Sequence, residues 1–113
     1  MKQTNIKRGD IFWVDFDPST GTEIRKRRLA LVCSHDDMNQ NSNRIIVAPI
    51  ISNLNKVYTF EYAITGYSFV NGKVMIDQIK CVDKIRLGTK IRSIALKETN
   101  EVDLIIKFVL GVK

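Results

Sequence analysis

Short blocks of apolar residues, each about the length of a β-strand, recur along the chain and are separated by polar segments. The first block, residues 11–16 (IFWVDF), is β-branched and aromatic. It begins after Gly9 and stops before Pro18, which are typical strand boundaries. The next segment, residues 18–28, contains turn formers and charged side chains with little apolar material, and it predicts a solvent-facing loop.

Two further blocks are apolar without alternation. They are residues 29–33 (LALVC) and Arg44–Ile51 (RIIVAPII), and the polar stretch SHDDMNQNSN lies between them. Continuous apolar runs of this length predict strands that are buried on both faces. Pro49 has no amide hydrogen to give to a ladder, which predicts an edge position or a bulge near the end of its strand.

The second half of the chain contains weaker strand signals. Residues 57–64 and 74–79 have strand-like composition, and Asn71-Gly72 before the latter is a strong hairpin-turn signal. About five short strands at this spacing indicate a barrel or a sandwich.

Near the C-terminus the apolar period changes from that of a strand to that of a helix. Apolar residues at i, i+3, i+4 and i+7 predict one buried helical face, consisting of Val102, Ile105, Ile106 and Val109. Thr99 or Asn100 is a candidate N-cap, and Gly111 is a plausible stop. The prediction is therefore a strand-rich domain covered by one C-terminal helix.

Length and composition narrow the class of protein. The 113 residues suffice for one core and not for two, so we expect a single domain over residues 1–113. The chain shows neither the apolar stretch of a secretory signal nor a run long enough to span a bilayer. Cys33 and Cys81 lack neighbours at a zinc-binding spacing, so free thiols are expected. Together these features predict a cytoplasmic protein with no membrane partner.

The charge balance indicates a class of binding partner. Eighteen Lys and Arg residues against 12 Asp and Glu residues give a formal net charge of +6, which favours phosphate-rich or acidic partners. Four consecutive basic residues, 25–28, stand where the second strand is expected to begin, with Glu23 beside them. Such a run is most often only a solvated loop. A guanidinium at the entry of a strand is nevertheless better positioned for chemistry than one on a loop tip.

Several motifs occur in the order that is typical of one family. The segment KRGDIFWVDFDPSTGTE resembles the opening of MazF/PemK toxins, GD-(aromatic)-V-x-(aromatic)-x-P-x-x-G-x-E. RLALV with Ser34 and Asn39 after it, VAPI, and VMIDQI with the later VD and RL are similar to the family's following segments. The resemblance covers nearly the whole chain. It implies a mainly β (α+β) fold, an SH3-like β-barrel of the MazF/PemK/CcdB type with a C-terminal α-helix.

The resemblance also implies an activity and partners. Family members are typically metal-independent endoribonucleases that cut single-stranded RNA, so no cofactor is expected. An acidic antitoxin is the implied cognate partner. Relatives pair, and the apolar C-terminal segment FVLGV exceeds what so small a barrel covers, so a homodimer is also expected. In such a reaction the ribose 2′-hydroxyl attacks the neighbouring phosphate, which requires a proton acceptor, a proton donor and charge stabilisation but no metal.

Arg28 matches the family's active-site arginine. A guanidinium there is expected to clamp phosphate oxygens and to stabilise the pentacovalent state. A role as a literal acid would need a strongly altered environment, because arginine normally stays protonated. Glu23 matches the family's acidic residue and is a candidate base or an orienting group for Arg28. An ion pair between Glu23 and the basic run is an equally good interpretation.

The chain departs from the family pattern at several positions. Ile51 stands where many relatives have a threonine, and Ser52 next to it supplies a hydroxyl only if the strand bulges or has ended. Met75 and Thr22 replace an arginine and a histidine of some PemK-like relatives, although Asp77 is kept. These departures leave RNA binding well supported and catalytic competence less so.

The predicted site combines these residues. The catalytic candidates are Arg28, Glu23 and Ser52, and the RNA-binding candidates are Thr22, Arg25, Lys26, Arg27, Asn39, Ile51, Asp77 and Gln78. Asn39 and Gln78 are the candidates for base selection. The lone His35 is interpreted as a surface histidine without a catalytic role. The alternative is a binding protein, either an RNA binder that has lost catalysis or a CcdB-like toxin that targets DNA gyrase.

Overall fold

The computed structural model describes residues 5–68 and 70–113. In this part of the chain seven strands form one antiparallel sheet, curled into a half-barrel, in the order β4-β5-β3-β2-β1-β7, with β6 paired to β3. The strands are β1 Asp10–Asp15, β2 Arg27–Val32, β3 Arg44–Ile51, β4 Glu61–Tyr67, β5 Val70–Met75, β6 Lys80–Asp83 and β7 Leu87–Ser93. The helices are α1 Asp36–Asn41 and α2 Leu96–Leu110, and single 3-10 turns lie at Ile76–Gln78 and Lys84–Arg86.

The central strands carry apolar side chains on both faces of the sheet. Ile11 and Phe12 are neighbours in β1 and both are buried, yet they belong to two different core clusters. The same division separates Leu31 from Ala30 in β2. The prediction of two-sided burial is confirmed for β2 and β3, and it explains why their apolar blocks show no alternation.

Pro49 lies in the interior of the sheet, so the predicted edge position is wrong. One side of β3 pairs with β2, including the pair Ala30–Pro49. The other side pairs with β6 as far as Val47 and with β5 from Ile50 onward. Pro49 falls between these two ladders, where a residue without an amide hydrogen removes no hydrogen bond.

The predictions for β4 and β5 were displaced along the chain. Residues 57–60 precede β4, which begins at Glu61, and β5 ends at Met75 rather than continuing to residue 79. Asn71-Gly72 lies inside β5 and makes no hairpin turn. Gly72 is instead required by packing, since a Cβ there would lie 2.1 Å from the carbonyl oxygen of Ile51.

The C-terminal helix is confirmed in its register and its end. Val102 is buried, and the other three residues of the predicted stripe pack against the same core cluster. Gly111 ends the helix in the left-handed conformation, with φ of 69°. The observed N-cap is Ala95, four residues before Thr99 and five before Asn100, and Glu98 Oε1 accepts a hydrogen bond from the Ala95 amide at 3.3 Å. Within the described residues no helix is long and apolar enough to cross a membrane.

The polar stretch between β2 and β3 contains a short helix, α1, that the sequence pattern did not indicate. His35 caps it, with Nδ1 accepting from the Asp37 amide at 3.0 Å. Asn39 is buried and donates from its side-chain amide to the Ser34 carbonyl oxygen at 2.9 Å. Lys84 donates to the carbonyl oxygen of Asn39 at 2.6 Å, which ties the helix to the sheet.

Candidate nucleic-acid interface

The candidate site opens where two central strands separate. The pairing of β2 with β3 ends at Leu29–Ile50. Beyond that pair, Arg28 continues along β1, whereas Ile51 pairs with Lys73 of β5. The sheet therefore splits at this point and leaves a wedge between the start of β2 and the end of β3.

We call the main depression in this wedge the Arg28 cleft. Its volume is about 480 Å³. Its lining comes from the loop before β2, from the end of β3 and from the end of β5, and consists of Thr22, Glu23, Ile24, Arg25, Arg28, Ile51, Ser52, Asn53, Met75 and Gln78. The structure thus brings together seven of the predicted site residues from segments that are far apart in sequence.

Arg28 stands on the strand itself and is exposed to solvent. Its Nε donates to the carbonyl oxygen of Arg25 at 3.3 Å, which gives the guanidinium one anchor. Across residues 5–68 and 70–113, its two terminal nitrogens have no protein acceptor. A guanidinium held in this way can present two parallel N–H donors to a phosphate.

Glu23 lies in the same cleft, but it does not pair with the basic run. Its Oε1 accepts from the Thr20 amide at 2.7 Å, and its own amide donates to the Thr20 carbonyl oxygen at 3.1 Å. In the described part of the chain no ion pair joins Glu23 to Arg28 or to any other lysine or arginine. The interpretation of Glu23 as an ion-pair partner of the basic run is therefore wrong, and Glu23 lines the cleft from a local turn.

Gln78 holds the loop that carries Glu23. Its Oε1 accepts from the Ile24 amide at 3.2 Å, and its Nε2 donates to the Thr22 carbonyl oxygen at 3.4 Å. Both ends of the side-chain amide are therefore used by the protein backbone. Gln78 lines the cleft, but this geometry makes it a positioning residue for the loop rather than a free reader of bases.

The residue after β3 supplies one of the hydroxyl groups of the cleft. The strand ends at Ile51, and Ser52 follows it as an exposed residue. Because Ser52 lies past the strand, its side chain is not bound by the alternation of the two faces, and both Ile51 and Ser52 line the cleft. Asn53, which the sequence analysis did not single out, lies next to them on the rim.

A smaller recess of about 300 Å³ adjoins the Arg28 cleft and contains Asp77. The two depressions share Thr22, Glu23, Ile24 and Gln78. Desolvation raises the pKa of the Asp77 carboxyl above its usual value, and the negative charge of Glu61 adds to the effect. Asp77 therefore lies in a recess beside the predicted groove and does not line the cleft that contains Arg28.

Three residues of interest lie outside these linings. Lys26 adopts a left-handed conformation with φ of 66° and closes the loop, since its carbonyl oxygen accepts from the Phe16 amide at 2.9 Å. Its exposed side chain is not part of either lining. Asn39 is buried within α1, so the prediction that it reads bases is wrong. His35 serves as the cap of α1, in keeping with its interpretation as noncatalytic.

A third depression, which adjoins Arg28, was missed by sequence reasoning. This Trp13 cleft has a volume of about 290 Å³ and is lined by Trp13, Arg27, Arg28, Leu29, Ile50, Ile51, Ser52 and Asn71. It shares Arg28, Ile51 and Ser52 with the Arg28 cleft. Only the strand register brings Trp13 and Asn71 together, which explains why no local motif indicated the site.

The half-barrel, with arginine-lined clefts where its central strands separate, defines a small β-protein with a basic groove. The family model of PemK-like, MazF-like toxins of type II toxin-antitoxin systems matches residues 7–110, and the chain belongs to this family. The endoribonuclease MazF9 of Mycobacterium tuberculosis is 32% identical over 110 residues, covering 90% of this chain and 93% of the relative.

Solved structures agree with this assignment. The crystal structure of MazF from Deinococcus radiodurans superposes with a TM-score of 0.85 at 26% identity, covering 95% of this chain and 97% of the other. A MazE-MazF complex from the same organism gives a TM-score of 0.78 at 25% identity, covering 96% of this chain and 97% of the other. The predicted fold class, a mainly β (α+β) SH3-like barrel with a C-terminal helix, is confirmed, with the sheet curled into a half-barrel.

Proposed function

We propose that this endoribonuclease toxin cleaves single-stranded RNA in the Arg28 cleft without a metal ion. The observation that carries the proposal is the solvent-facing Arg28 guanidinium, presented by a strand in a cleft that also contains a carboxylate, Glu23, and a hydroxyl, Ser52. Cutting messenger RNA in the cytoplasm would stop translation and growth. The single toxin domain would extend over residues 1–113.

The reaction follows from these three groups. The ribose 2′-oxygen attacks the adjacent phosphorus, and its proton passes to the Glu23 carboxylate. Arg28 and the Ser52 hydroxyl donate hydrogen bonds to the nonbridging oxygens, where negative charge accumulates as the pentacovalent state forms. The bond from phosphorus to the 5′-oxygen then breaks, and that oxygen takes a proton from solvent at the open cleft. The products are a 2′,3′-cyclic phosphate and a 5′-hydroxyl end.

The surface also supports two protein partners. Arg25, Arg27 and Arg28 line the two clefts and give the groove a positive rim. An acidic, disordered antitoxin segment would bind this rim and compete with RNA. The C-terminal apolar segment leaves Phe108 62% and Leu110 58% exposed, which supports a homodimer that covers them.

The gyrase-directed and noncatalytic alternatives rested on two departures from the family pattern. Ile51 and Met75 do line the Arg28 cleft, so the cleft is more apolar than one carrying threonine and arginine. Arg28, Glu23 and Ser52 nevertheless meet in it, and the M. tuberculosis relative is named an endoribonuclease. Both facts favour the nuclease.

The decisive experiment is cleavage of a long RNA by the purified protein in EDTA, with mapping of the 5′-hydroxyl ends. Arg28→Ala is expected to lower kcat/KM by about 10²- to 10³-fold, the usual cost of losing an electrostatic donor to the transition state. Arg44→Ala is the matched control, because Arg44 is an exposed arginine at the opposite end of β3.

Two results would contradict the proposal. Wild-type protein that leaves every RNA intact in EDTA would exclude metal-independent cleavage. Full activity of Arg28→Ala alongside Arg44→Ala would place the reaction outside this cleft.

A further inference from the structure

We propose that the Trp13 cleft binds an unpaired nucleobase of the substrate RNA, next to the phosphate that Arg28 holds. This inference rests on the proposed function and adds a subsite to it. The ligand class is a single-stranded nucleotide whose base stacks on a paired indole and guanidinium.

The stacking platform is already assembled. The Arg27 guanidinium lies over the Trp13 ring, 5.1 Å from its centroid. Gly88 makes room for this arrangement, because a Cβ at that position would lie 2.8 Å from Arg27 Nη2 and 3.3 Å from Trp13 Cβ. Unpaired RNA bases stack on aromatic rings and on arginine planes, and both surfaces are present here.

The position of the platform relates it to the scissile phosphate. Arg28, Ile51 and Ser52 line both the Trp13 cleft and the Arg28 cleft, so the two depressions are joined at the proposed reaction centre. A phosphate held by Arg28 has one nucleoside on each side. One of these nucleosides would then extend toward Glu23 and the other toward Trp13.

The cleft also contains a group that can distinguish bases. Asn71 is exposed on β5 and lines the cleft opposite the platform strands. A carboxamide donates and accepts at once, and it can therefore recognise one hydrogen-bonding edge over another. Since Gln78 is occupied with the loop backbone, Asn71 is the better placed amide for selecting a base. A volume of about 290 Å³ is at the lower end for ligand pockets, which suits one base.

The chain offers a direct probe, because Trp13 is its only tryptophan. A single-stranded RNA carrying 2′-deoxy sugars at its cleavage sites binds without being cut. Titrating this RNA into the wild-type protein is expected to change Trp13 fluorescence with the same midpoint as binding measured by anisotropy. Arg27→Met is expected to lower kcat/KM by about 10- to 100-fold, the usual range for a lost stacking contact. Asn71→Asp is expected to change the base preferred at one position beside the cut.

The matched control is Arg92→Met. Arg92 also lies over an aromatic ring, 3.9 Å from the centroid of Tyr67, but it lines neither cleft. Its variant should retain wild-type kcat/KM and the wild-type cut sites. Thermal melts of all three variants identify any that fail to fold, and the wild-type fluorescence titration tests the subsite even then.

Three outcomes would overturn the subsite. The first is RNA saturation with no change in Trp13 fluorescence. The second is unchanged cut sites and kcat/KM for Arg27→Met and Asn71→Asp while Arg28→Ala is inactive, which would leave the proposed nuclease intact. The third is fluorescence that follows protein concentration and not RNA, which would make the cleft a contact between copies of the chain. Failure of the proposed function itself would appear differently, as wild-type protein that cuts no RNA.

Discussion

The Lys73 ammonium lies 2.9 Å from Glu61 Oε1, and both side chains are less than one-tenth exposed. Lys73 also donates to the Lys56 carbonyl oxygen at 2.8 Å, and Glu61 Oε1 accepts from the Tyr58 amide at 2.9 Å. The pair therefore fastens the segment before β4 to the β4–β5 hairpin. Lys73 is the registered partner of Ile51, so this ion pair is one strand away from a residue that lines the Arg28 cleft.

Removing one member of this pair should be costly. Lys73→Met leaves the Glu61 carboxylate buried without its counter-ion, and we expect the free energy of unfolding to fall by about 3–5 kcal/mol. Lys73→Met combined with Glu61→Met should lose less than the sum of the single variants, since no charge is then left buried. Urea denaturation measures the free energy of unfolding of the single and the double variants. Lys97→Met, at an exposed position on α2, should stay within about 0.5 kcal/mol of wild type. Additive losses would show that the two side chains do not act as a pair.

Gln78→Ala should loosen the loop that carries Glu23. The variant loses both backbone contacts of the carboxamide, so the Ile24 amide should exchange faster with deuterium, and kcat/KM should fall by about 10-fold through misplacement of Glu23. Gln40→Ala is a matched control, because Gln40 makes a similar contact, at 2.7 Å to the Ile6 carbonyl oxygen, away from the clefts. Unchanged exchange at Ile24 in Gln78→Ala would refute the positioning role.

RNA affinity should fall steeply with salt. Each phosphate neutralised on a single strand contributes a slope of about −0.7 in log K against log salt. Arg25→Gln should make the wild-type slope shallower by about that amount, because Arg25 lines the Arg28 cleft. Lys107→Gln on α2 removes the same charge far from the groove and should leave the slope unchanged. Equal slopes for all three proteins would place RNA elsewhere.

The two cysteines should differ in reactivity. Both are free thiols, and burial raises the pKa of Cys33 to about 12 from an ordinary value of 9.0. Cys33 is half-buried and stays a neutral thiol at pH 8, whereas Cys81 is exposed. Mass spectrometry after iodoacetamide treatment should find one modified cysteine in the native protein and two after denaturation.

The raised pKa of Cys33 also makes the stability of the protein depend on pH. Above pH 9 the Cys33 thiol ionises in the unfolded chain but stays protonated in the folded protein. This group therefore leaves the free energy of unfolding unchanged below pH 9 and lowers it between about pH 9 and 12. Cys33→Ala should reduce this alkaline decline in a comparison of urea midpoints. Modification of both thiols in the native protein would show that Cys33 is accessible.

Local patterns predicted the features that depend on local physics. The helical stripe from Val102 to Val109, its stop at Gly111 and the two-sided burial of β2 and β3 all follow from the spacing of apolar side chains. The hairpin prediction at Asn71-Gly72 was wrong because a glycine can serve either a turn or a close backbone approach. The close approach of Ile51 to Gly72 is a long-range contact that no local pattern indicates. The internal position of Pro49 depends on where β6 ends and β5 begins, and no residue near Pro49 encodes that.

The same reasoning separates the candidate site into two parts. Arg28, Glu23 and Ser52 were indicated by motif order, and they do meet in one cleft. Asn39 was misjudged because polarity alone does not distinguish a buried amide that closes a helix turn from one that faces a groove. Sequence patterns did not predict the roles of Trp13 and Asn71, or the hydrogen bonds from Gln78 to the loop backbone. Each of these roles depends on a partner that is more than fifty residues away or across the sheet.

The site occupies a gap between strand ends, and this placement divides its lining between the strands of the framework and the two connections beside them. The reactive guanidinium belongs to the framework, whereas the rim is formed by the segment before β2 and by the residues after β3. Insertions or exchanges at the exposed positions of these two connections would reshape what the groove accepts, provided that Ile24, which packs against a core cluster, is kept. Variants of this scaffold are therefore free to acquire new cutting preferences without having to fold differently.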